Sequence, residues 1–162
     1  MENVDSVHGF LARRVGPQMA QDLTAETFCR AMAAFDRYED RGLPVRAWLF
    51  RIAYNLVVAE SRKRAPRIVQ IDDDSGAVAV EDQSDRSDRL TEAREAREAL
   101  AKLPETQRTV LELRFLQDLS VSETASVLGS NEQAVRAMTY RALRSLRAAL
   151  AANEGSIAKA AV

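Results

Sequence analysis

The sequence predicts an all-α protein built from two small helical domains joined by a flexible acidic linker. Apolar residues recur every three or four positions over most of the 162-residue chain, which is the period of amphipathic helices. The few Gly and Pro residues, six and four, fall mainly between the periodic stretches. Residues 72–98 hold 10 acidic and 4 basic side chains, whereas both flanks are mildly basic. We therefore predict domains over 1–65 and 88–152, a linker over 66–87 and a tail over 153–162.

Composition excludes several classes of function. One cysteine, Cys29, and one histidine, His8, leave no material for a disulfide scaffold, a multi-cysteine zinc site or a histidine-based catalytic centre. We expect no enzyme activity, no metal and no other cofactor. No apolar run approaches the roughly 20 residues of a membrane span, and the N-terminus lacks the order of a secretory signal. A cytoplasmic protein without membrane insertion is expected.

Three helices are predicted in the first domain. The first covers about 4–15 and ends at Gly16-Pro17. The second includes 24–35, where an apolar stripe is expected to bury Cys29 as a small core residue. The third covers about 45–63 and ends in a basic cluster suited to the negative end of the helix dipole. The stripes expected to face the core are Phe28, Met32 and Phe35 in the second helix, and Trp48, Leu49, Ile52, Ala53 and Leu56 in the third.

The sequence of the second domain predicts a helix-turn-helix. Helices over about 88–101 and 105–116 are followed by Ser120 and Glu123, which fit a capping box. The short helix that they start ends at Gly129, and Ser130 or Asn131 then caps a longer helix. A short helix, a tight turn and a long helix together are typical of this motif. The residues expected to face the core are Val110, Leu111, Leu113 and Phe115, then Thr124, Ala125 and Leu128, then Val135, Met138, Ala142, Leu143, Leu146 and Leu150.

The polar face of the long helix indicates DNA contact. Arg136, Tyr140, Arg144 and Arg147 recur at spacings of four, four and three, so they share one side of the helix. An ordinary solvated helix mixes both signs of charge, whereas this one has Glu132 alone at its start. Arginines without carboxylates suit a phosphate backbone, because each neutralised phosphate releases counterions and adds affinity.

These residues resemble a known family, the extracytoplasmic-function (ECF) sigma factors, which are the small two-domain class of bacterial RNA polymerase sigma subunits. Residues 22–28 (DLTAETF) and 44–55 (PVRAWLFRIAYN) are similar to the family's region 2. Residues 103–108 (LPETQR), together with Val135-Arg136 and 140–143 (YRAL), are similar to region 4, the helix-turn-helix. The resemblance implies a sigma region 2 helical bundle and a region 4 domain in one chain.

The resemblance also implies partners and site residues. A sigma factor binds core RNA polymerase, through the clamp helices of the largest subunit and the flap of the β subunit, and directs it to promoter DNA. An anti-sigma factor commonly restrains it. The residues that match the core-binding helix are Asp22, Glu26 and Phe28. Those that match the helix that reads and melts the −10 element are Trp48, Arg51, Tyr54, Asn55, Arg62 and Lys63. Those that match the −35 reading helix are Arg136, Tyr140, Arg141, Arg144 and Arg147.

Within that set, Arg136 is expected to read a base, and Arg144 and Arg147 to hold the DNA backbone. Trp48 has two interpretations, a core residue or a neighbour of the DNA. By the family's pattern, the loop over 39–44 would capture a flipped-out base, and the acidic linker would thread a positively charged polymerase channel.

Two other classes of function are compatible with the same sequence features. A helix-turn-helix transcription regulator would bind duplex DNA unaided, and an anti-sigma-like adaptor would pair its arginines with an acidic protein. Tight binding of a promoter duplex by the free chain would favour the regulator. Weak salt dependence of nucleic-acid binding would favour the adaptor.

Overall fold

A computed structural model describes residues 2–38, 43–64 and 89–160. The proposed linker over 66–87 and residues 39–42 of the proposed base-capturing loop lie outside these residues. Throughout the described part of the chain the regular elements are helices, which confirms the predicted all-α class. Among the same residues, no helix is both long and apolar enough to cross a bilayer.

The N-terminal module, residues 2–38 and 43–64, is built from three α-helices. They are α1 (Glu2–Val15), α2 (Pro17–Ala34) and α3 (Val45–Arg64), with a 3₁₀ turn at Phe35–Arg37 after α2. Gly16 separates α1 from α2 at a φ of 81°, which is accessible to Gly, and Pro17 opens α2 at a position that tolerates its missing N–H. Phe10 of α1 and Phe50 of α3 meet edge to face with ring centroids 5.4 Å apart, and both are fully buried.

The C-terminal module, residues 89–160, contains the predicted helix-turn-helix. Its elements are α4 (Arg89–Ala101), α5 (Glu105–Leu111), a π-helical turn at Glu112–Leu116, α6 (Val121–Leu128) and α7 (Glu132–Ala160). The capping box is confirmed: Glu123 N donates to Ser120 Oγ at 3.1 Å, and Ser120 N donates to Glu123 Oε2 at 2.6 Å. Gly129 ends α6 in the left-handed region, with a φ of 62°. Asn131 caps α7, because its Oδ1 accepts from Ala134 N at 2.8 Å.

The buried face of α2 differs from the predicted one. It consists of Ala20, Thr24, Thr27 and Ala31, whereas Cys29 is exposed, so the prediction of a core cysteine is wrong. Two threonines can be buried because their hydroxyls donate to backbone oxygens one turn earlier: Thr24 to Ala20 at 2.6 Å and Thr27 to Leu23 at 2.7 Å. Small residues on this face let α2 lie close to α1 and α3. The larger apolar side chains of α2 lie at the edge of this face or point to solvent.

Four other residues of the predicted apolar stripes are exposed. A π-helical turn contains more residues than an α-helical turn, so the side chains that follow it point in a different direction from those of a continuous α-helix. Phe115 lies in that turn and faces solvent. The prediction of a buried position is wrong for Met32, Phe35, Phe115 and Leu143.

The two modules share an apolar core. Leu113, Leu119 and Val127 of the C-terminal module are buried in the cluster formed by α1, α2 and α3. Helix α6 packs directly on α3 with one face and on α7 with another. The C-terminal module has a smaller cluster of its own, whose buried members are Leu103, Val110, Leu111 and Ala142. In this structure the modules therefore form one packed body.

Candidate nucleic-acid interface

Helix α7 presents one exposed basic face. At 3.6 residues per turn, Arg136, Tyr140, Arg144 and Arg147 lie within about a quarter of the helix circumference, opposite buried Val135 and Ala142. Tyr140 is 70% exposed, and the side chain of Arg136 is 67% exposed. Arg136 Nη2 donates to Glu132 Oε2 at 2.9 Å within the first turn. The sequence-predicted −35 residues on this face are thus brought together on one surface.

Arg141 lies on a different side of α7. With Arg144 it lines a shallow open groove of about 330 Å³ between α5 and α7, together with Gln107, Ser145 and Ala148. The side-chain oxygen of Gln107 is buried there with no hydrogen-bond partner in the described part of the chain. Two guanidinium groups beside polar side chains form a surface that suits an anionic backbone.

The arrangement of α6 and α7 follows from local sequence. The capping box fixes the start of α6, and the left-handed Gly129 turns the chain directly into the cap of α7. Buried Val135 and Ala142 then hold α7 against the rest of the module, so its opposite face is left free for a ligand. A helix oriented in this way by a preceding short helix has the geometry that places side chains in a major groove.

Helix α3 presents a second exposed polar face. Arg51, Asn55 and Arg62 follow one another at spacings of four and seven, which places all three on one side of the helix, and all are exposed. Lys63 lies beside this face and pairs with Glu60 at 3.4 Å between Nζ and Oε2. An amide and cations side by side can bind both bases and phosphates.

Two aromatic residues of the predicted −10 set are half-buried. Trp48 packs on the N-terminal core, and its ring centroid lies 4.8 Å from that of Tyr38. This half-buried position is compatible with both interpretations of Trp48, as a core residue and as a neighbour of the DNA. Tyr54 is packed on the same core, and burial raises the pKa of its hydroxyl above the ordinary value of 10.0. Arg14 and Glu105 lie within electrostatic reach of Tyr54 and act in opposite directions on that pKa.

The outer face of α2 combines carboxylates with apolar groups. Asp22 and Glu26 are exposed, and Glu26 Oε1 pairs with Arg30 Nε at 2.6 Å. Phe28 is half-buried at the edge of the face, against the core. Next to it Met32 is 77% exposed, although its spacing in the sequence predicts a core position. A residue count along α2 that starts from its small residues would have placed Met32 on this outer face.

Comparison with known proteins identifies the class. A family model of sigma-70 region 2 matches residues 1–67, and a model of sigma-70 region 4 matches residues 93–146. The ECF RNA polymerase sigma factor ShbA of Streptomyces griseus is 35% identical over 133 residues, which is 79% of this chain and 70% of ShbA. This chain belongs to the ECF sigma factor family.

Other relatives differ in length or in sequence. The ECF RNA polymerase sigma factor BldN of Streptomyces coelicolor is 36% identical over 145 residues, 88% of this chain but 55% of BldN, so the chain spans just over half of that relative. Among solved structures, CnrH in complex with the cytosolic domain of CnrY has a TM-score of 0.62 at 30% identity, covering 93% of this chain and 82% of CnrH. The sigma factor RpoE in complex with the anti-sigma factor NepR from Bartonella quintana has a TM-score of 0.69 at 22% identity, covers 92% of both chains, and shows a shared fold.

Proposed function

We propose that this chain is a promoter-specificity subunit that binds core RNA polymerase and directs transcription initiation. In this proposal α3 reads and melts the −10 element, and α7 reads the −35 element. The observation that carries it is the presence of two separate exposed DNA-type faces, Arg51/Asn55/Arg62 and Arg136/Tyr140/Arg144/Arg147, in a member of the sigma family. The polymerase would supply the chemistry, and the chain would act in the cytoplasm, where promoters are.

The two faces would bind DNA through different interactions. Guanidinium groups on α7 can pair bidentately with guanine in a major groove, which is worth about 1–3 kcal/mol for each correct base. On α3, Trp48 and Tyr54 are held by the core beside exposed Arg51 and Asn55. Aromatic rings held in place favour unpaired bases, because stacking contributes about 1–3 kcal/mol per base and is unavailable in an intact duplex.

The outer face of α2 is the proposed contact with core polymerase. Asp22 and Glu26 offer charge, and Phe28 and Met32 offer apolar area. A mixed face of this kind suits a protein partner, since exposed large apolar side chains next to polar groups mark interaction surfaces. The flap of the β subunit is the second proposed polymerase contact, through the C-terminal module.

We also propose an anti-sigma factor as a regulatory partner. The solved relatives with TM-scores of 0.62 and 0.69 are both complexes with a second protein, and one of these partners is an anti-sigma factor. A pull-down from the native host is expected to return such a protein besides polymerase. Recovery of polymerase subunits alone would contradict this partner.

Run-off transcription tests the main proposal. Core polymerase with the purified chain is expected to start at discrete sites on a library of genomic promoter fragments. The double variant Arg136→Ala/Arg144→Ala should lose this transcription, whereas Arg94→Ala, an exposed arginine of α4 that pairs with Glu98 at 2.8 Å, should keep it. Absence of initiation on every fragment would overturn the proposal. Binding of a promoter duplex by the free chain with nanomolar affinity would favour a helix-turn-helix regulator instead.

A further inference from the structure

Gln133 lies at the centre of the exposed basic face of α7. At about 100° per residue, Gln133 falls between Arg136 and Arg144 around the helix and stands opposite buried Ala142. The Gln133 side chain is exposed, and within the described part of the chain it makes no hydrogen bond. An uncharged amide therefore occupies the middle of a face whose other polar members are mainly arginines.

The neighbours of Gln133 leave its amide open to a ligand. Arg136 Nη2 donates to Glu132 Oε2 at 2.9 Å, and Glu132 lies at the edge of the face, so the guanidinium is drawn away from the centre. Ala137, which follows Gln133 by four residues, is exposed and carries only a methyl group. A base edge can therefore approach the amide of Gln133 without displacing a bulky side chain.

The place of Gln133 along α7 also favours contact with bases. Asn131 caps the helix by accepting from Ala134 N at 2.8 Å, so Gln133 lies in the first turn. In helix-turn-helix proteins, residues near the start of the second helix contact base edges in the major groove. When a helix lies in a groove, the centre of its exposed face points to the base edges and the rims point to the two phosphate strands. Gln133 is therefore placed toward the bases.

A glutamine amide matches one base edge with both of its polar groups. Its oxygen accepts from N6 of adenine while its NH₂ donates to N7 of the same base, and both atoms are open in the major groove. A phosphate offers only acceptors, so it would use the NH₂ alone and leave the amide oxygen unpaired. Adenine is therefore the ligand that best satisfies Gln133.

The spacing along the helix indicates which base pair is read. Gln133 and Arg136 are three residues apart, about 4.5 Å along the axis at 1.5 Å per residue. One base pair rises about 3.4 Å. In zinc-finger helices, contact residues three positions apart read successive bases. Gln133 and Arg136 are therefore spaced to read neighbouring base pairs.

Resting on the proposed function, we propose that Gln133 determines promoter specificity by reading an adenine in the −35 element, in the base pair next to the guanine that Arg136 reads. The −35 element of this chain then contains A·T and G·C pairs side by side. Glu132 acts through Arg136 as a positioning residue, because it holds the guanidinium on one side of the amide.

Base substitution in the −35 element tests the proposal. A promoter from which the wild-type holoenzyme initiates is changed to each of the four bases at every −35 position, and competition binding of the holoenzyme is measured. Wild type should prefer adenine at one position by about fivefold or more. Gln133→Ala should lose this preference and keep the guanine preference beside it. Gln18→Ala changes an exposed glutamine at the second residue of α2, the place that Gln133 has in α7, and should leave every base preference unchanged.

A second variant should exchange the preferred base. Gln133→Glu accepts hydrogen bonds but donates none, which suits N4 of cytosine, so the preference at that position should move from adenine to cytosine. A protein that fails to fold cannot acquire a new preference, so this result would separate recognition from stability.

Two outcomes would overturn the adenine contact. Equal weakening by Gln133→Ala at all −35 sequences would indicate a phosphate contact instead, and unchanged preferences in both Gln133 variants would exclude any base contact. Failure of the wild-type holoenzyme to initiate at every promoter would overturn the proposed function itself, so the two failures are distinguishable.

Discussion

The two modules present their proposed DNA contacts in different ways. On α7, Arg136 and Tyr140 are about two-thirds exposed and stand clear of the core. On α3, Trp48 and Tyr54 are half-buried in the core, and only their polar neighbours are free. Exposed cations suit the grooves and phosphates of an intact duplex, whereas rings fixed by packing suit the stacking of bases already unpaired. This difference in burial supports the proposed division between duplex reading by α7 and melting by α3.

The two modules also differ in the size of their apolar cores. The N-terminal cluster contains large, fully buried side chains such as Phe10, Leu11 and Phe50. The C-terminal cluster has four buried residues of its own, and three further apolar residues of that module are buried against α1, α2 and α3. The C-terminal module therefore depends on the N-terminal module for part of its apolar burial.

The largest expected effect lies in the N-terminal core. Phe50→Ala removes a fully buried ring that meets Phe10 edge to face, and should lower the free energy of unfolding by about 3–5 kcal/mol. Phe115→Ala removes a ring that is 57% exposed and should change the free energy of unfolding by less than about 0.5 kcal/mol. Urea denaturation followed by circular dichroism measures both. Equal destabilisation by the two variants would contradict the assigned cores.

The next effect separates base reading from backbone contact on α7. Arg136→Ala should weaken promoter binding by the holoenzyme by about 1–3 kcal/mol and relax preference at one position of the −35 element. Arg147→Ala should weaken binding evenly across sequences and reduce the salt slope by about one. Competition binding with −35 variants at several salt concentrations checks this. Identical sequence profiles for the two variants would exclude the division of roles.

A smaller effect is expected where α6 begins. Ser120→Ala removes the hydroxyl that accepts from Glu123 N, and should cost about 1 kcal/mol of stability. Ser122→Ala changes an exposed serine in the first turn of the same helix and serves as the matched control. Thermal denaturation of both variants decides the matter. A cost at Ser122 as large as that at Ser120 would refute the capping role.

The smallest effect concerns Tyr54 and alkaline pH. Burial raises the pKa of its hydroxyl above 10.0, so on raising the pH the unfolded chain loses this proton first. The folded state then binds more protons than the unfolded one, and stability falls as pH rises through that interval. Tyr54→Phe should show a shallower loss of stability above pH 10 than wild type. The same alkaline slope in both proteins would contradict this burial effect.

Local patterns in the sequence predict the helices well, because their signals are contained within a few residues. The break at Gly16-Pro17, the capping box at Ser120 and the end of α6 at Gly129 are all confirmed. The exposed face of α7 follows equally from spacing, since arginines four apart share a side wherever the helix packs.

The errors arise where tertiary packing selects a helix face. On α2, Thr24 and Thr27 are buried because backbone oxygens accept from their hydroxyls, and Cys29 and Met32 are turned outward as a result. The small residues of α2 define one possible buried face and its large apolar residues another, and only packing against α1 and α3 selects the small one. Arg14 of α1 and Glu112 of the π-helical turn form a buried ion pair, with 2.5 Å between Nη1 and Oε2. No local period predicts this pair, because the two residues are 98 positions apart.

Run-off transcription with core polymerase is the decisive measurement for the proposed promoter reading. Wild type and the Arg94→Ala control, which changes an exposed arginine of α4, are expected to initiate at the same discrete sites, and Arg136→Ala/Arg144→Ala is expected to lose them. Equal initiation by all three proteins would contradict the proposed role of α7.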